Sequence, residues 1–450
     1  MLRRNLLRQF PCVSLFLFCV FPLSLAQNAA NLWVSAGGTC TRASTPVAFN
    51  ASTACGSFAA AYNAASAGDT IYVKAGTYGA QSVPGRSLGT NVVTIMKEPG
   101  GAAVNVASIS IDSSNVTVDG VVSSDAFDIG HNSGCNSTPG NGWPCAFPVK
   151  NVVLRNFSAT NGYITGDTVL LQNGSVGPVD GCASGKEDGI QILGLGSGVN
   201  PSWTPSDHVT IDNVTVHDVT NSGCNAHVDG IQGFGYRHLI IRNSRIYNTD
   251  SSYILAYSFD NSNPLQVDSV LIENNYFGNV PHPGHGITLG NDGSAACGAS
   301  NLNNIIQNNT FYGDEMADVR CAGSVDAIFR NNISLATGDD CVGDGGNHNF
   351  QYDYNIFPSQ ASSACRSTLH AKTCTPAFAD SAHAGGKADL ASTDTCAKDA
   401  VGGASGTYPT TDVYGTPRPQ GPAPDAGAFE YRTTNTQLPS PPTDLQGVVQ

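Results

Sequence analysis

Between Asp207 and Asn355 short apolar and polar positions alternate in one returning phrase, and an Asn closes every copy. The copies are Thr210-Ile211-Asp212-Asn213, Ile240-Ile241-Arg242-Asn243, Leu271-Ile272-Glu273-Asn274, Ile305-Ile306-Gln307-Asn308 and Ile328-Phe329-Arg330-Asn331, with Val153-Leu154-Arg155-Asn156 as an earlier one. A period of two predicts a strand in each. Spacings of roughly 23–34 residues fall in the solenoid range and leave no room for a helix pair beside the strands. Each repeat is therefore expected to form one coil of a β-solenoid, its strands stacking in parallel on those of the next. Asn156, Asn213, Asn243, Asn274, Asn308 and Asn331 would then line one corner as a ladder, each amide bonding to backbone and to its equivalent a coil away.

Upstream, Asn31-Leu32-Trp33-Val34-Ser35 reads as an entry strand, and residues 56–67 as a short helix with Phe58, Tyr62 and Ala65 on one face. Such a helix suits a cap, because an open solenoid end exposes unpaired strand edges. Two more strands are expected between Val104 and Val122. Residues 123–148 and 194–206, rich in Gly, Ser and Pro, read as loops inserted over one face. The helix leads into Gly68-Asp69-Thr70-Ile71-Tyr72-Val73 and then Gly76-Thr77-Tyr78. This order resembles the start of the right-handed parallel β-helix proteins of the pectate-lyase-like superfamily. The resemblance implies an all-β fold: a right-handed parallel β-helix, three sheets per coil, with an N-terminal capping helix. Asp412-Val413-Tyr414-Gly415-Thr416-Pro417-Arg418-Pro419 and Pro424-Asp425-Ala426-Gly427-Ala428-Phe429-Glu430-Tyr431 resemble the C-terminal choice-of-anchor Q region of secreted β-helix proteins. The expected organisation is a signal peptide (1–26), N-terminal cap and first coils (27–110), β-helix core (111–360), C-terminal coil and cap (361–432) and a disordered tail (433–450).

Composition adds the setting. Arg3, Arg4 and Arg8, the apolar run from Val13 to Leu25, and Ser24-Leu25-Ala26 read as an export signal with its cleavage site. The chain has 14 cysteines; two, Cys12 and Cys19, lie in that signal, and an even number follows it. An even count behind an export signal predicts disulfides, and no close Cys-x-x-Cys pair suggests a thiolate metal site. Cys321 with Cys341, Cys182 with Cys224, and Cys135 with Cys145 are the candidate pairs. A formal net charge of −14, with only 21 Lys and Arg, disfavours nucleic acid as a partner. No later run is long and apolar enough to span a bilayer. A secreted, extracellular or cell-surface monomer is expected.

Candidate chemistry sits in a second column of the repeat. Lys186-Glu187-Asp188-Gly189-Ile190-Gln191 and His227-Val228-Asp229-Gly230-Ile231-Gln232 share Asp-Gly-Ile-Gln, and His282-Pro283-Gly284-His285-Gly286-Ile287-Thr288 follows. Coils about 4.8 Å apart would bring Asp188 and Asp229 together. Two carboxylates at that distance either split their pKa values into an acid and a base or hold a cation between them. The alternative is that stacked Asp residues cap a turn. His227 and His285 are candidate proton carriers. Lys186, Glu187, Gln191, Gln232, His282 and Trp203 are candidate substrate-binding residues, and Asp339, Asp340 and Asp344 are candidate calcium ligands.

Two mechanisms suit these residues. In β-elimination on a uronic-acid polymer, a cation or Arg320 would neutralise the sugar carboxylate while His227, His285 or Lys186 takes the α-proton. In hydrolysis, two carboxylates would flank the glycosidic bond. Val228-Asp229-Gly230, Gly284-His285-Gly286 and Gly338-Asp339-Asp340-Cys341 resemble fragments of polygalacturonase-like motifs, although the double Asp follows the His motif instead of preceding it and Arg-x-Lys is missing. The expectation is a secreted carbohydrate-active protein that cleaves a polysaccharide in a groove on one face. The alternative is a non-catalytic β-helix for adhesion or polysaccharide binding.

Overall fold

The computed structural model describes residues 28–130, 149–184, 188–193, 206–223, 227–234, 236–258, 269–278, 286–291, 304–313, 318–320, 325–336, 341, 348–402 and 407–432. The chain winds as a right-handed parallel β-helix whose coils contribute strands to three parallel columns, here called sheets: among the described residues, long strands join the first two into one sheet of 23 strands, and the third is a sheet of nine. In the first sheet the register carries Ile71 onto Ile95, Val118, Leu154, Leu171 and Ile211. It continues through Ile241, Ile272, Ile306 and Phe329. All are fully buried. One apolar side chain per coil thus lands on its equivalent, and the core is a continuous column that grows along the axis. Phe277 and Phe311 stack in the second sheet with centroids 4.8 Å apart, the inter-strand spacing itself.

The corner between the first two sheets confirms an Asn column and corrects its content. Gly120, Asn156, Asn173, Asn213, Asn243, Asn274, Asn308, Asn331 and Tyr354 all have positive φ, between 51° and 82°. Asn tolerates this left-handed conformation better than most residues, which explains its recurrence. Asn173, absent from the expected ladder, bridges Asn156 and Asn213: its Nδ2 donates to Asn156 Oδ1 (3.4 Å) and its Oδ1 accepts from Asn213 Nδ2 (2.8 Å). Asn243 Nδ2 donates to Asp212 Oδ1 at 2.8 Å, where the ladder changes partner, and its Oδ1 accepts from Asn274 Nδ2 at 3.3 Å; Asn331 Nδ2 donates to Asn308 Oδ1 at 3.1 Å as expected.

A second buried ladder lies one residue further on. Asn275, Asn309, Asn332 and Asn355 are all completely buried. Asn309 Oδ1 accepts the Asn275 backbone N–H (2.9 Å) and Nδ2 (3.1 Å), while Asn309 Nδ2 donates to Ile272 O (2.9 Å) and Asn332 Oδ1 (3.1 Å). Each rung therefore satisfies its own amide and a turn N–H of the neighbouring coil, groups that would otherwise be orphaned.

At the N-terminus the cap helix runs over Phe58–Ala64. Ser57 caps it by accepting the Ala60 N–H at 3.1 Å, and Phe58, Ala61 and Tyr62 are buried against the first coils. The region from Val104 holds more strands than expected: Val104–Val106, Ile109–Ile111, Val116–Asp119 and Val121–Ser123. Phe127–Ile129 is also a strand, inside the stretch expected as a loop over 123–148; the rest of that stretch, from residue 131, lies outside the described residues. The strand's apolar-polar-apolar sequence places Phe127 and Ile129 in the core, paired with Ile109 and Ile111.

Disulfides join Cys40–Cys55, Cys341–Cys365 and Cys374–Cys396, and Cys182 is also disulfide-bonded. Cys341 therefore does not pair with Cys321. Its partner lies in the short helix Ser363–Arg366, with Cα atoms 5.1 Å apart. Among the described residues no helix is long and apolar enough to cross a membrane.

After the strand Lys372–Thr373, which pairs with Ile356–Phe357, the chain folds back along the flank. Asn274 Nδ2 donates to Thr411 O (2.7 Å), Asn331 Nδ2 to Thr407 O (3.1 Å), and Gly427 N to Asn331 O (2.8 Å). Arg418 is buried and ties this segment together through Glu430 Oε2 (3.0 Å), Asp425 O (2.8 Å) and Gly427 O (2.8 Å). His383 packs against Tyr312, Phe378 and Tyr276.

Asn309→Ala should lower unfolding free energy by about 3 kcal/mol or more in denaturant titration, because it leaves several buried groups unpaired. Asn151→Gly removes an exposed rung (Nδ2 to Asn115 Oδ1, 2.9 Å) at a left-handed position that glycine adopts freely, and should cost under ~1 kcal/mol.

Burial pushes the His383 imidazole below its ordinary 6.5. Below that value the unfolded chain binds the proton more readily, so this contribution is present above pH ~6.5 and lost as pH falls towards the lowered native value. Glu430, which burial pushes up to about 7 against the pull of Arg418, acts with the opposite sign over the same range. The His383 contribution is isolated by difference: between pH 7 and 5, the thermal midpoint should fall further in wild type than in His383→Phe.

Candidate functional site

The candidate column lies on the third sheet. Register aligns Ser82, Ser110, Asp128, Tyr163 and Gln191, and the row continues through Gln232, Leu255, Thr288 and Asp318. Flanking residues such as Ile190 and Ile192 point into the core, so this row faces outward. From Ser82 to Gln191 it is partly open to solvent. Gln232 (8% exposed) and Thr288 (2%) continue it but are shielded.

Asp188 and Asp229 stack at the turn that enters these strands, and both are buried. Asp188 Oδ1 accepts the Asp229 backbone N–H at 2.8 Å, and Asp229 Oδ1 accepts that of Ser252 at 2.9 Å. The second oxygens accept from the Gln three residues on: Asp188 Oδ2 from Gln191 Nε2 (2.5 Å), and Asp229 Oδ2 from Gln232 Nε2 (3.2 Å). Gln191 Nε2 also reaches Gln232 Oε1, at 3.4 Å. The repeated Asp-Gly-Ile-Gln is thus one structural unit in which the carboxylate closes the turn of the next coil. These bonds support the turn-capping alternative for Asp188.

His227 differs from them. Its side chain is 55% exposed, yet its Nδ1 lies 3.1 Å from Asp229 Oδ2, a carboxylate with 0% exposure. Its Nε2 lies 2.8 Å from Ser251 Oγ. An accessible imidazole is therefore fixed in orientation by a buried acceptor. Ser251 was not among the candidates in the sequence. Aligning Ile231 with Ile254, as the sheet does, would have placed Asp250-Ser251-Ser252 beside His227-Val228-Asp229.

Arg320 sits in register with Gly290, three strands beyond the Gln232 strand in this sheet. Three spacings amount to about 14 Å along the axis. The Arg320 backbone thus stands three strand spacings from the coil of His227. Lys186, Glu187, Trp203, His282, His285, Asp339, Asp340 and Asp344 lie outside the described residues.

Two other places gather polar side chains. Asp207, His208 and His238 offer ligand atoms within 4.8 Å of one another. Both His Nδ1 atoms address Asp207 Oδ1, at 3.0 and 2.7 Å, and both residues have positive φ. His370, also at positive φ, bonds Asp353 Oδ1 in the same way at 2.8 Å. A left-handed corner residue donating to a carboxylate of the preceding coil is thus a recurring device of this solenoid, and it accounts for the His238 contact. A cleft of about 240 Å³ is lined by Asn213, Asn243 and Thr411 to Gly415. Its one carboxylate, Asp412, is held by the N–H groups of Tyr414, Thr416 and Glu430.

No family model matches the sequence, and no curated protein does. Among solved structures the chain is similar to the pectate lyase Pel9A, at 13% identity and a TM-score of 0.43, over 89% of this chain and 96% of that one. It is also similar to the PL6 family alginate lyase AlyGC, at 14% identity and a TM-score of 0.34, over 78% of this chain and 58% of that one. Likeness at this level concerns backbone shape, whereas chemistry is decided by side chains at a site.

Asp229→Ala should cost about 3 kcal/mol in denaturant unfolding, since it leaves the buried Ser252 N–H and Gln232 amide without an acceptor. His227→Ala, at an exposed side chain, should stay within about 0.5 kcal/mol of wild type.

Proposed function

We propose that this chain is a secreted carbohydrate-active β-helix protein that cleaves a polysaccharide lying along the outer row of the third sheet, with His227 as the proton carrier. The observation behind this reading is the pairing of an accessible imidazole with a fully buried carboxylate, Nδ1 to Oδ2 at 3.1 Å. Asp229 accepts on every side, from Ser252 N–H, Gln232 Nε2 and His227. It therefore favours the tautomer with the proton on Nδ1 and leaves Nε2 as the accepting nitrogen, 2.8 Å from Ser251 Oγ. Serine, aspartate, tyrosine and glutamine side chains along the row supply the hydroxyl, carboxylate and amide groups that bind sugars, and Tyr163 adds a ring face.

On a uronic-acid polymer, His227 Nε2 would take the α-proton and the glycosidic C–O bond would break by β-elimination. Neutralising the sugar carboxylate falls to a bound cation or to a residue nearer than Arg320. Hydrolysis by Asp188 and Asp229 is less well supported, because both carboxylates are buried in turn bonds. The disulfides and the N-terminal signal pattern support an oxidising, extracellular destination. The resemblance of the C-terminal segment to an anchor region adds attachment to a surface as part of the proposal. A non-catalytic display role has one observation in its favour, the structural use of both Asp residues.

The test is a screen of the purified protein on acidic and neutral polysaccharides, reading absorbance of unsaturated products and new reducing ends. Wild type should release unsaturated products from an acidic polymer. His227→Ala should lower that rate at least ~10²-fold with an unchanged thermal midpoint. A wild-type protein that binds such polymers without cleaving them is the outcome that turns the reading to display.

A further inference from the structure

The same corner holds a further arrangement, and the geometry points to a second activity: Ser251, His227 and Asp229 form a nucleophilic relay that hydrolyses ester substituents on the bound polysaccharide. It rests on the preceding reading for its substrate and on its own geometry for its chemistry. Ser251 Oγ lies 2.8 Å from His227 Nε2. His227 Nδ1 lies 3.1 Å from Asp229 Oδ2, and Asp229 is locked by the Ser252 N–H and the Gln232 amide. A hydroxyl facing the lone-pair nitrogen of an imidazole, whose other nitrogen faces a buried carboxylate, is the arrangement that activates serine in acyl transfer. Such a constellation is recognised by its geometry and roles, and the chain order His, Asp, Ser is no objection.

The solenoid contains a second Ser-His-Asp contact, which sharpens the assignment. His217 Nε2 lies 3.2 Å from Ser175 Oγ, and its Nδ1 lies 2.8 Å from Asp218 Oδ2. There the carboxylate is 43% exposed, sits at a positive-φ corner and also takes the Asn248 amide. The His217 ring stacks on Tyr247. A solvated carboxylate holds an imidazolium more weakly than a buried one, and the stacked ring is half enclosed. Ser175 is the internal control.

In the first half-reaction Ser251 Oγ attacks the ester carbonyl carbon and its proton passes to His227 Nε2. The tetrahedral adduct collapses, the C–O bond to the sugar breaks, and the sugar oxygen leaves with the proton from His227. Water then attacks the acyl-serine and gives its proton to His227. The second collapse releases the carboxylic acid and returns the proton to Ser251. The balance is ester plus water to acid plus alcohol, with no redox partner.

The full-length protein is treated with an alkyl fluorophosphonate and the adduct located by peptide mass spectrometry; turnover of nitrophenyl acetate and of an O-acetylated polysaccharide is measured in parallel. The expected result is an adduct on Ser251 and none on Ser175, lost in His227→Ala. Ester turnover should fall at least ~10³-fold in Ser251→Ala at an unchanged thermal midpoint. Asp229→Asn, which disturbs the tautomer, should slow labelling and change its pH profile. An unlabelled Ser251, equal labelling of Ser175, or undiminished ester turnover in Ser251→Ala overturns the inference. Chain cleavage of an unesterified polymer by wild type reads the preceding proposal separately, so each can fail alone.

Discussion

The structure depends on one requirement: buried turn N–H groups that no neighbouring backbone carbonyl accepts must be accepted by a side chain of an adjacent coil. Two ladders meet it with different chemistry. In the Asn275–Asn309–Asn332–Asn355 column the acceptor is an amide, which also donates, so each rung satisfies the next and the ladder closes on itself. In the Asp188–Asp229–Ser252 column the acceptor is a carboxylate. A carboxylate only accepts, and its second oxygen must find donors elsewhere. Gln191, Gln232 and His227 are those donors. The reactive-looking corner is thus a consequence of using Asp where the other ladder uses Asn.

The same requirement decides which features could be read from the sequence. The stacking itself was legible, because apolar alternation closed by an Asn at every return fits stacked coils and little else. The second Asn column was not: Asn275, Asn309 and Asn332 directly follow Asn274, Asn308 and Asn331, both members of each pair are buried, and a two-residue period cannot foresee two polar residues in succession inside. Asn173 escaped because its coil follows Asn156 after only 17 residues, short of the expected spacing. His227 and Asp229 stood out through the repeated Asp-Gly-Ile-Gln. Ser251 did not, since its coil keeps only the Ile of that phrase, and disulfide partners such as Cys341 and Cys365 likewise emerge only once register is known.

Register also separates residues that the sequence had grouped. Arg320 shares a sheet with His227's coil, yet two strands intervene, and in a solenoid axial distance is fixed by strand count. Loop length changes nothing in that measure. Groups that act on one sugar unit must come from the same or adjacent coils, which His227, Asp229 and Ser251 do.

The outer row also has a direction. It is open from Ser82 to Gln191 and shielded at Gln232 and Thr288, and His227 stands on the coil where the change occurs. Burial of Asp229 lowers the local dielectric on one side of the pair and strengthens its hold on His227, while the imidazole itself stays 55% exposed. The proposed role of His227 as a proton carrier needs both conditions at once, and a uniform solenoid face would offer only one of them.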